Sequence, residues 1–343
     1  MKFLPKKGFD LLVGKLPRKL SLLDIGARGG IQRPWNQVNS LLLSVVLVEP
    51  DPIEAARLED ELSASQVVVL PYALWREETT LTLNLNRSPG TSSIYLPNRQ
   101  FLDQFPEATR FDVLETINIS AVTIDNLSSA SRIPPIDFAK IDVQGAELAI
   151  LEGGHNHFAE NLVGLEIEVE FAEMYTGQPL FSEVEVFVRE QLGLELWDLR
   201  KTYWKYQQGM VTKGPIKGRM IFGDALFLRP LSGMEKWLSS MSYIDAKEKL
   251  FMLMISSLAY GYVDYATLLL NSPSHKQYLD EATYKILQST INSLGTGFRP
   301  FRNGNYPVYI VLNALAKSFQ PTHAGWASIG QGLGSQRRSF FWL

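Results

Sequence analysis

The stretch Ser21–Gly30, SLLDIGARGG, decides the fold. Ser21, Leu22, Leu23 and Ile25 frame Asp24 at the end of a short apolar strand, and Gly26, Gly29 and Gly30 follow. Glycine reaches positive φ without steric cost and lets a backbone approach a ligand closely. A strand that ends in an acid and turns through glycines towards a helix builds the nucleotide-sized crevice of an open α/β sheet. The spacing is D-x-G-x-x-G-G and not G-x-G-x-x-G, with the acid inside the turn. A pyrophosphate would be repelled by Asp24 there. A ligand that presents an amino group and no phosphate would not be.

Outward from this turn the chain alternates between strand and helix patterns. Ile31–Ser40 is helical in outline. Ser44–Glu49 (SVVLVE) is a β-branched strand ending in an acid. Pro52–Leu62 is a helix with proline in its first turn and Ala55, Leu58 and Leu62 on one face. Strands follow at Val67–Leu70, Ile136–Asp142 and Leu162–Phe171, with a helix starting at Gly145–Glu152. Phe181–Leu192 reads as a helix, and Leu194–Leu199 and Met220–Leu228 as the last strands. This rhythm predicts an α/β fold, a doubly wound and mostly parallel Rossmann-like sheet. Thr79–Val122 interrupts it. Leu81, Leu83 and Leu85 alternate with polar residues, as do Ile117, Ile119 and Ala121, which is strand period. The Pro-, Gly- and Ser-rich loop between them reads either as a lid or substrate wall, or as a variable surface insertion.

After Pro230 the pattern is helical, over Met234–Leu294. In Lys249–Leu258 (KLFMLMISSL), Phe251, Leu253 and Met254 cannot all face water. The segment is expected to pack on the sheet, pair with a second chain as a homodimer, or cover the acceptor groove. Gly330–Leu343 is Gly-rich and ends in Phe340, Phe341 and Trp342. The division expected is a lead-in over 1–20, an α/β domain over 21–230 and a helical C-terminal region over 231–343.

Composition bounds the function. Lys+Arg 33 against Asp+Glu 36 gives a net charge of -3, with no basic field that asks for nucleic acid. The chain has no Cys, which excludes disulfides, thiolate metal sites and cysteine nucleophiles. Its four histidines, His155, His157, His275 and His323, are little material for a histidine metal site. No metal is expected, although Asp142 and the acids of Leu162–Phe171 are able to hold Mg²⁺. The lead-in MKFLPKKGFDLLVGKLPRKL is interrupted by Lys6, Lys7, Lys15 and Pro17 and is not read as a secretory signal. The apolar run Leu41–Val48 is far too short to span a bilayer. A cytoplasmic protein without stable membrane insertion is expected.

Glu49 ends the second strand beside the glycine turn, where an acid accepts both hydroxyls of a ribose. Asp24, Gly26 and Glu49 together fit an adenosine ligand. Taken singly, Asp24 is more plainly a capping residue and Glu49 a solvent-exposed one. The missing G-x-G-x-x-G and the acid in the turn argue against a nicotinamide-dependent oxidoreductase.

DIGARGG, then LVEPDPIEAARL, then DFAKIDVQGAELAILEGG closely resemble the FkbM-like family of methyltransferases that use S-adenosylmethionine (SAM). The last is the most specific, with K-I-D-V-Q-G-A-E running from a strand end to a helix start. VEFAEMYTGQPLF, Val169–Phe181, is similar to a pattern of one branch. The resemblance covers about Ser21–Pro230. It implies a seven-stranded class I methyltransferase sheet with its last strand antiparallel. It also implies transfer of the SAM methyl group, usually to a hydroxyl oxygen. It sets Asp24, Gly26 and Gly29 around the methionine part of SAM and Glu49 on the ribose. Pro50 and Asp51 flank the adenine, Ala73 and Leu74 meet its ring, and Asp142 faces the methyl-transfer centre. Arg28 departs from the small polar residue common in the family, and either pairs with an acidic neighbour or meets an anionic substrate.

Methyl transfer to a hydroxyl asks for in-line positioning and a base. Asp142 is the first candidate. Glu166, Glu168 and Glu170 share one strand face, and Glu170 is nearest the carboxyl end. Their plainer reading is a polar groove beneath the C-terminal helices. His155 and His157 follow the Gly153–Gly154 stop, as a base or as solvated histidines. Trp197, Tyr203, Trp204 and Tyr206, interleaved with Arg200, Lys201 and Lys205, suit either stacking on a sugar or ordinary packing. The expected activity is O-methylation of a hydroxyl on a sugar, glycan or secondary metabolite. The alternative is a catalytically inactive SAM- or nucleotide-binding module that serves assembly through its helical C-terminus.

Overall fold

The computed structural model describes residues 9–62, 67–209, 218–295, 305–319 and 326–330. In chain order the strands are β1 (Leu20–Ile25), β2 (Leu43–Val48), β3 (Val67–Leu70), β4 (Ala73–Leu74), β5 (Thr79–Asn86) and β6 (Val113–Val122). Then come β7 (Phe138–Ile141), β8 (Gly164–Glu170), β9 (Glu195–Trp204), β10 (Arg219–Leu228) and β11 (Ala327–Ile329). The main sheet has eight strands in the order β11-β9-β10-β8-β7-β1-β2-β3. From β3 to β8 all neighbours are parallel, and β10 runs antiparallel between β8 and β9. The chain leaves β1 on one side through β2 and returns on the other as β7. That reversal opens a crevice above the carboxyl ends of β1 and β7. β8 is buried at every position, as an inner strand covered on both faces must be.

Two expectations need correction. The sheet has the seven strands anticipated plus β11, a three-residue edge strand on β9 within the region read as helical. Three residues carry no readable period. Ile31–Ser40 is not a helix but two short 3₁₀ turns, Trp35–Gln37 and Ser40–Leu42. Pro34 has no N–H to donate and disfavours helical backbone at Arg33.

Thr79–Val122 supplies β5 and β6, which with β4 form a second sheet in the order β4-β6-β5. β5 and β6 pair antiparallel, with Leu81 opposite Ile119 and Leu83 opposite Ile117.

The alternation of β1 sends Leu23 and Ile25 to one face of the main sheet and Leu20 and Leu22 to the other. On the first face they join Phe158, Val184 and Val188 from the helices His155–Asn161 and Phe181–Gln191. On the second, Leu22, Val45 and Phe138 share one core with the helices Tyr243–Ala259, Val263–Asn271 and Glu281–Gly295. Of the three ways the C-terminal region had to bury its apolar face, packing on the sheet is the one observed. Lys249–Ala259 is buried on every side. The layer is also pinned by charge. The fully buried Asp137 accepts from Lys249 Nζ at 2.9 Å, from Arg18 Nη1 and Nη2 at 2.5 and 2.8 Å, and from the Ser21 N–H at 2.9 Å. Among the described residues no helix is long and apolar enough to cross a membrane. The Gly-rich tail over 331–343, with Phe340, Phe341 and Trp342, lies outside the described residues, as do residues 1–8 of the lead-in.

Candidate active site

At the end of β1 the backbone turns at Gly26 with φ +78. A Cβ there would fall 1.9 Å from the carbonyl oxygen of Asp142, so only glycine lets the β1 and β7 turns lie against each other. The Gly26 N–H donates to Val48 O at 3.0 Å and the Asp142 N–H to Ile25 O at 3.0 Å. Three strand ends are thereby locked around one cleft of about 290 Å³. Gly26, Glu49, Pro50, Asp51, Ala73, Leu74 and Asp142 all line it. The insertion supplies its opposite wall. Leu81, Leu83 and Leu85 of β5 face it with Ile119 of β6, and Ile94 joins them from the loop between those strands.

Glu49 is 4% exposed, and its Oε1 accepts the Asp51 N–H at 3.0 Å. Burial pushes its carboxyl above the ordinary value. Asp51 Oδ1 accepts from the N–H groups of Ile53 and Glu54, at 3.0 and 3.4 Å, at the start of the helix Pro52–Leu62. Arg28 Nη2 donates to Asp51 Oδ2 at 2.7 Å, so Arg28 pairs with an acidic neighbour. Partial burial raises the Asp51 carboxyl, but the bonds from Arg28, Ile53 and Glu54 outweigh it and hold it below its ordinary value.

Four site candidates do not reach the cleft. Asp24 shares the β1 face of Leu22 and is buried beneath the turn. Its Oδ1 lies 3.6 Å from Lys140 Nζ and has no hydrogen-bond partner. Burial drives its carboxyl to about 6 against the pull of Lys140. Gly29 is exposed, at φ +82, and its N–H ties the turn to Glu54 Oε1 at 3.0 Å. His155 opens the helix His155–Asn161, and its ring meets Phe187 edge-on at 5.9 Å. Glu170 is buried at the end of β8. Strand alternation and helix direction, neither visible in a motif, separate these residues from the cleft.

His157 is structural. Its Nε2 accepts the Ile136 N–H at 3.2 Å, and burial lowers its pKa, so the ring stays a neutral acceptor. Glu166 accepts the Tyr260 hydroxyl across the interface with the C-terminal helices. The aromatic and basic run of β9 is divided by its own alternation. Trp197 packs on Tyr262 and Tyr265, whereas Trp204 packs on Phe105 and Trp326, and Arg200 pairs with Asp224 at 2.6 Å. None of these lines the cleft.

Two residues passed over in the sequence stand out. Gln144, at φ +60, donates through Nε2 to Asp142 Oδ1 at 3.1 Å and to Glu168 Oε2 at 2.5 Å. Glu147 accepts the N–H groups of Val143 and Gly145, both at 2.9 Å. Both lie inside the K-I-D-V-Q-G-A-E stretch, and the Gly145 turn between them was the signal that they fold back on Asp142.

The arrangement fits a methyl donor that carries adenosine. A glycine cradle admits no side chain at the strand crossing, a buried acid lines the cleft where a ribose would lie, and the small residue Ala73 leaves room for a flat ring. The methyltransferase FkbM domain model matches residues 24–193. No curated protein matches the sequence. Among solved structures, the chain is similar to a methyltransferase FkbM from Methylobacillus flagellatus KT, at 15% identity and a TM-score of 0.34. That match covers 60% of this chain and 43% of the other, so the chain spans under half of that protein's length. A TehB-like SAM-dependent methyltransferase from Corynebacterium glutamicum matches at 14% identity over 66% of this chain and 89% of its own, with a TM-score of 0.28. TrmK of M. capricolum, solved with S-adenosyl-homocysteine, matches at 8% identity over 85% of this chain and 100% of its own, with a TM-score of 0.30. Through residues 24–193 the chain belongs to the FkbM family of SAM-dependent methyltransferases.

Proposed function

We propose that this methyltransferase acts on a hydroxyl oxygen of a small acceptor, a sugar derivative or secondary metabolite. The observation that carries the reading is the Asp142 carboxylate. It lies on the cleft at the strand crossing, held by Gln144 Nε2 and opposite an apolar wall. Bound SAM supplies an electrophilic methyl group. Glu49 accepts the ribose hydroxyls, Pro50, Asp51, Ala73 and Leu74 flank the adenine, and the Gly26 backbone leaves room beside them. Asp142 accepts the proton that the acceptor hydroxyl sheds, and Gln144 orients it. Leu81, Leu83 and Leu85 keep water from the cleft and favour an acceptor with an apolar part over a bare sugar. Positioning supplies much of the rate, because the methyl donor is already reactive.

The test is release of S-adenosylhomocysteine by the full chain across phenols, aliphatic alcohols, glycosides and primary amines. A hydroxylated acceptor is expected to turn over and its O-methyl ether is not. Asp142→Asn should lower kcat at least about 100-fold with SAM affinity within about threefold. Preferential methylation of amines would overturn the reading. SAM binding without turnover on any hydroxyl would favour the inactive binding module.

A further inference from the structure

At the carboxyl end of β8 three carboxylates converge. Glu147, Glu168 and Glu170 each offer a ligand atom, and these atoms all lie within 4.8 Å of one another. The residues are 2, 6 and 2% exposed. Glu147 is fixed from one side by the N–H groups of Val143 and Gly145, and Glu168 by Gln144 Nε2. Glu170 is different. Its Oε1 is buried and has no hydrogen-bond partner.

Three carboxylates out of water repel one another, and each needs a counter-charge or a proton. The charges bearing most strongly on Glu168 are those of Asp142 and Glu170, and on Glu170 those of Glu147 and Asp142, all acidic, with the neutral Gln178 side chain the neighbour that draws Glu170 back down. A bound cation would supply what these side chains lack. The donor set is oxygen only, which suits a hard divalent ion and not zinc or copper. Oxygens around an ion bound at about 2.1–2.4 Å lie no more than about 4–5 Å apart, the spread seen here.

We propose that Glu147, Glu168 and Glu170 hold a divalent cation, Mg²⁺ or Mn²⁺, that ties β8 to the turn carrying Asp142. The ion replaces the expectation of a metal-free protein. It stands behind Gln144, which bridges Glu168 to Asp142, so it positions the base rather than touching the acceptor. The proposal does not rest on which acceptor is methylated.

The experiment uses the full chain, stripped with chelator and returned to metal-free buffer. Mn²⁺ is then titrated and followed by electron paramagnetic resonance and by thermal unfolding. One Mn²⁺ per chain is expected, competed by Mg²⁺, with a midpoint raised by about 3 °C or more at saturation. Glu168→Gln and Glu170→Gln should each weaken Mn²⁺ binding at least about tenfold. SAM titrated calorimetrically into the metal-free protein reads the methyl-donor site separately. Absence of bound Mn²⁺ and of any shift in the folded wild type overturns the site and leaves the carboxylates sharing protons. Unchanged Mn²⁺ affinity in both folded variants overturns it equally. If neither variant folds, the wild-type titration decides alone.

Discussion

Two acids at neighbouring strand ends have opposite fates. Glu49 lines the cleft, while Asp24 lies under the turn against Lys140. Glu49→Ala should weaken SAM binding by about 2–4 kcal/mol, the worth of two hydrogen bonds to a charged acceptor. Calorimetry checks it, and unchanged affinity removes Glu49 from the site. Because burial raises the Glu49 carboxyl, SAM affinity should begin to fall on acidification at a higher pH than for an ordinary glutamate. Asp24 acts on stability instead. Its folded-state pKa of about 6 lies above the ordinary 3.8, so the folded form is favoured while the proton is on. That contribution is complete below 3.8 and is lost as pH rises through about 6, a change on the order of 3 kcal/mol. Asp24→Asn should flatten the denaturation midpoint between pH 4 and 6.5. A slope as steep as the wild type's would assign the effect elsewhere. The D-x-G motif made Asp24 look like the ligand contact. Only the pairing of Asp24 with Lys140 across β1 and β7 shows that it lies beneath the turn and off the lining of the cleft.

At the scale of elements, the strands were legible because apolar runs bounded by acids and glycines have few other uses. The Leu81, Leu83 and Leu85 alternation became β5, and its cleft-facing side was legible in kind though not in target. What stayed hidden was relational. Neither the meeting of Glu147 with β8 nor the separation of His155 from the cleft follows from spacing along the chain. The turn after β1 offers a sharp test of how tightly elements are locked. Gly26→Ala would drive a Cβ to 1.9 Å from Asp142 O, whereas a Cβ at Gly29 meets nothing within 4 Å. Both residues have positive φ, so each substitution strains the backbone, by about 1–2 kcal/mol. Gly26→Ala should add displacement of the β7 turn, with at least about 2 kcal/mol further loss of stability and tenfold weaker SAM binding. Gly29→Ala should keep SAM affinity within about threefold. Equal effects of the two in thermal melts and calorimetry would mean that φ alone, and not the contact with Asp142, governs the turn.

At the scale of the molecule, the C-terminal helices are a layer of the fold and not an appendage. Leu250, Met252, Leu253 and Met254 are 0% exposed, and they share a core with Leu22 and Phe138. The KLFMLMISSL run showed that a face had to be buried, but its partner is a sheet face more than a hundred positions away, which no local pattern encodes. The same interface carries the Asp137 node. Burial opposes the Asp137 charge, yet Arg18 and Lys249 hold its carboxyl below the ordinary value. Stability from this node is therefore present above about pH 4 and drains as pH falls through the lowered pKa. Lys249→Ala should cost about 3 kcal/mol, at the low end for a broken buried pair because Arg18 remains, and should leave SAM affinity unchanged. Truncation after Pro230 should do far more. It uncovers much of the second face of β1, β2 and β7, leaving Phe9, Leu12, Trp35 and Leu58 against it, and removes Lys249 from a carboxylate that is 0% exposed. An apolar face of that extent is an aggregation surface. The truncated chain is thus expected to be insoluble, or soluble only without a cooperative melt, and to lose SAM binding because the strands that hold the cleft are no longer held themselves. A soluble truncation that unfolds cooperatively and binds SAM within a few-fold of the full chain would show that one covered face suffices, and that the helices serve acceptor choice rather than the fold.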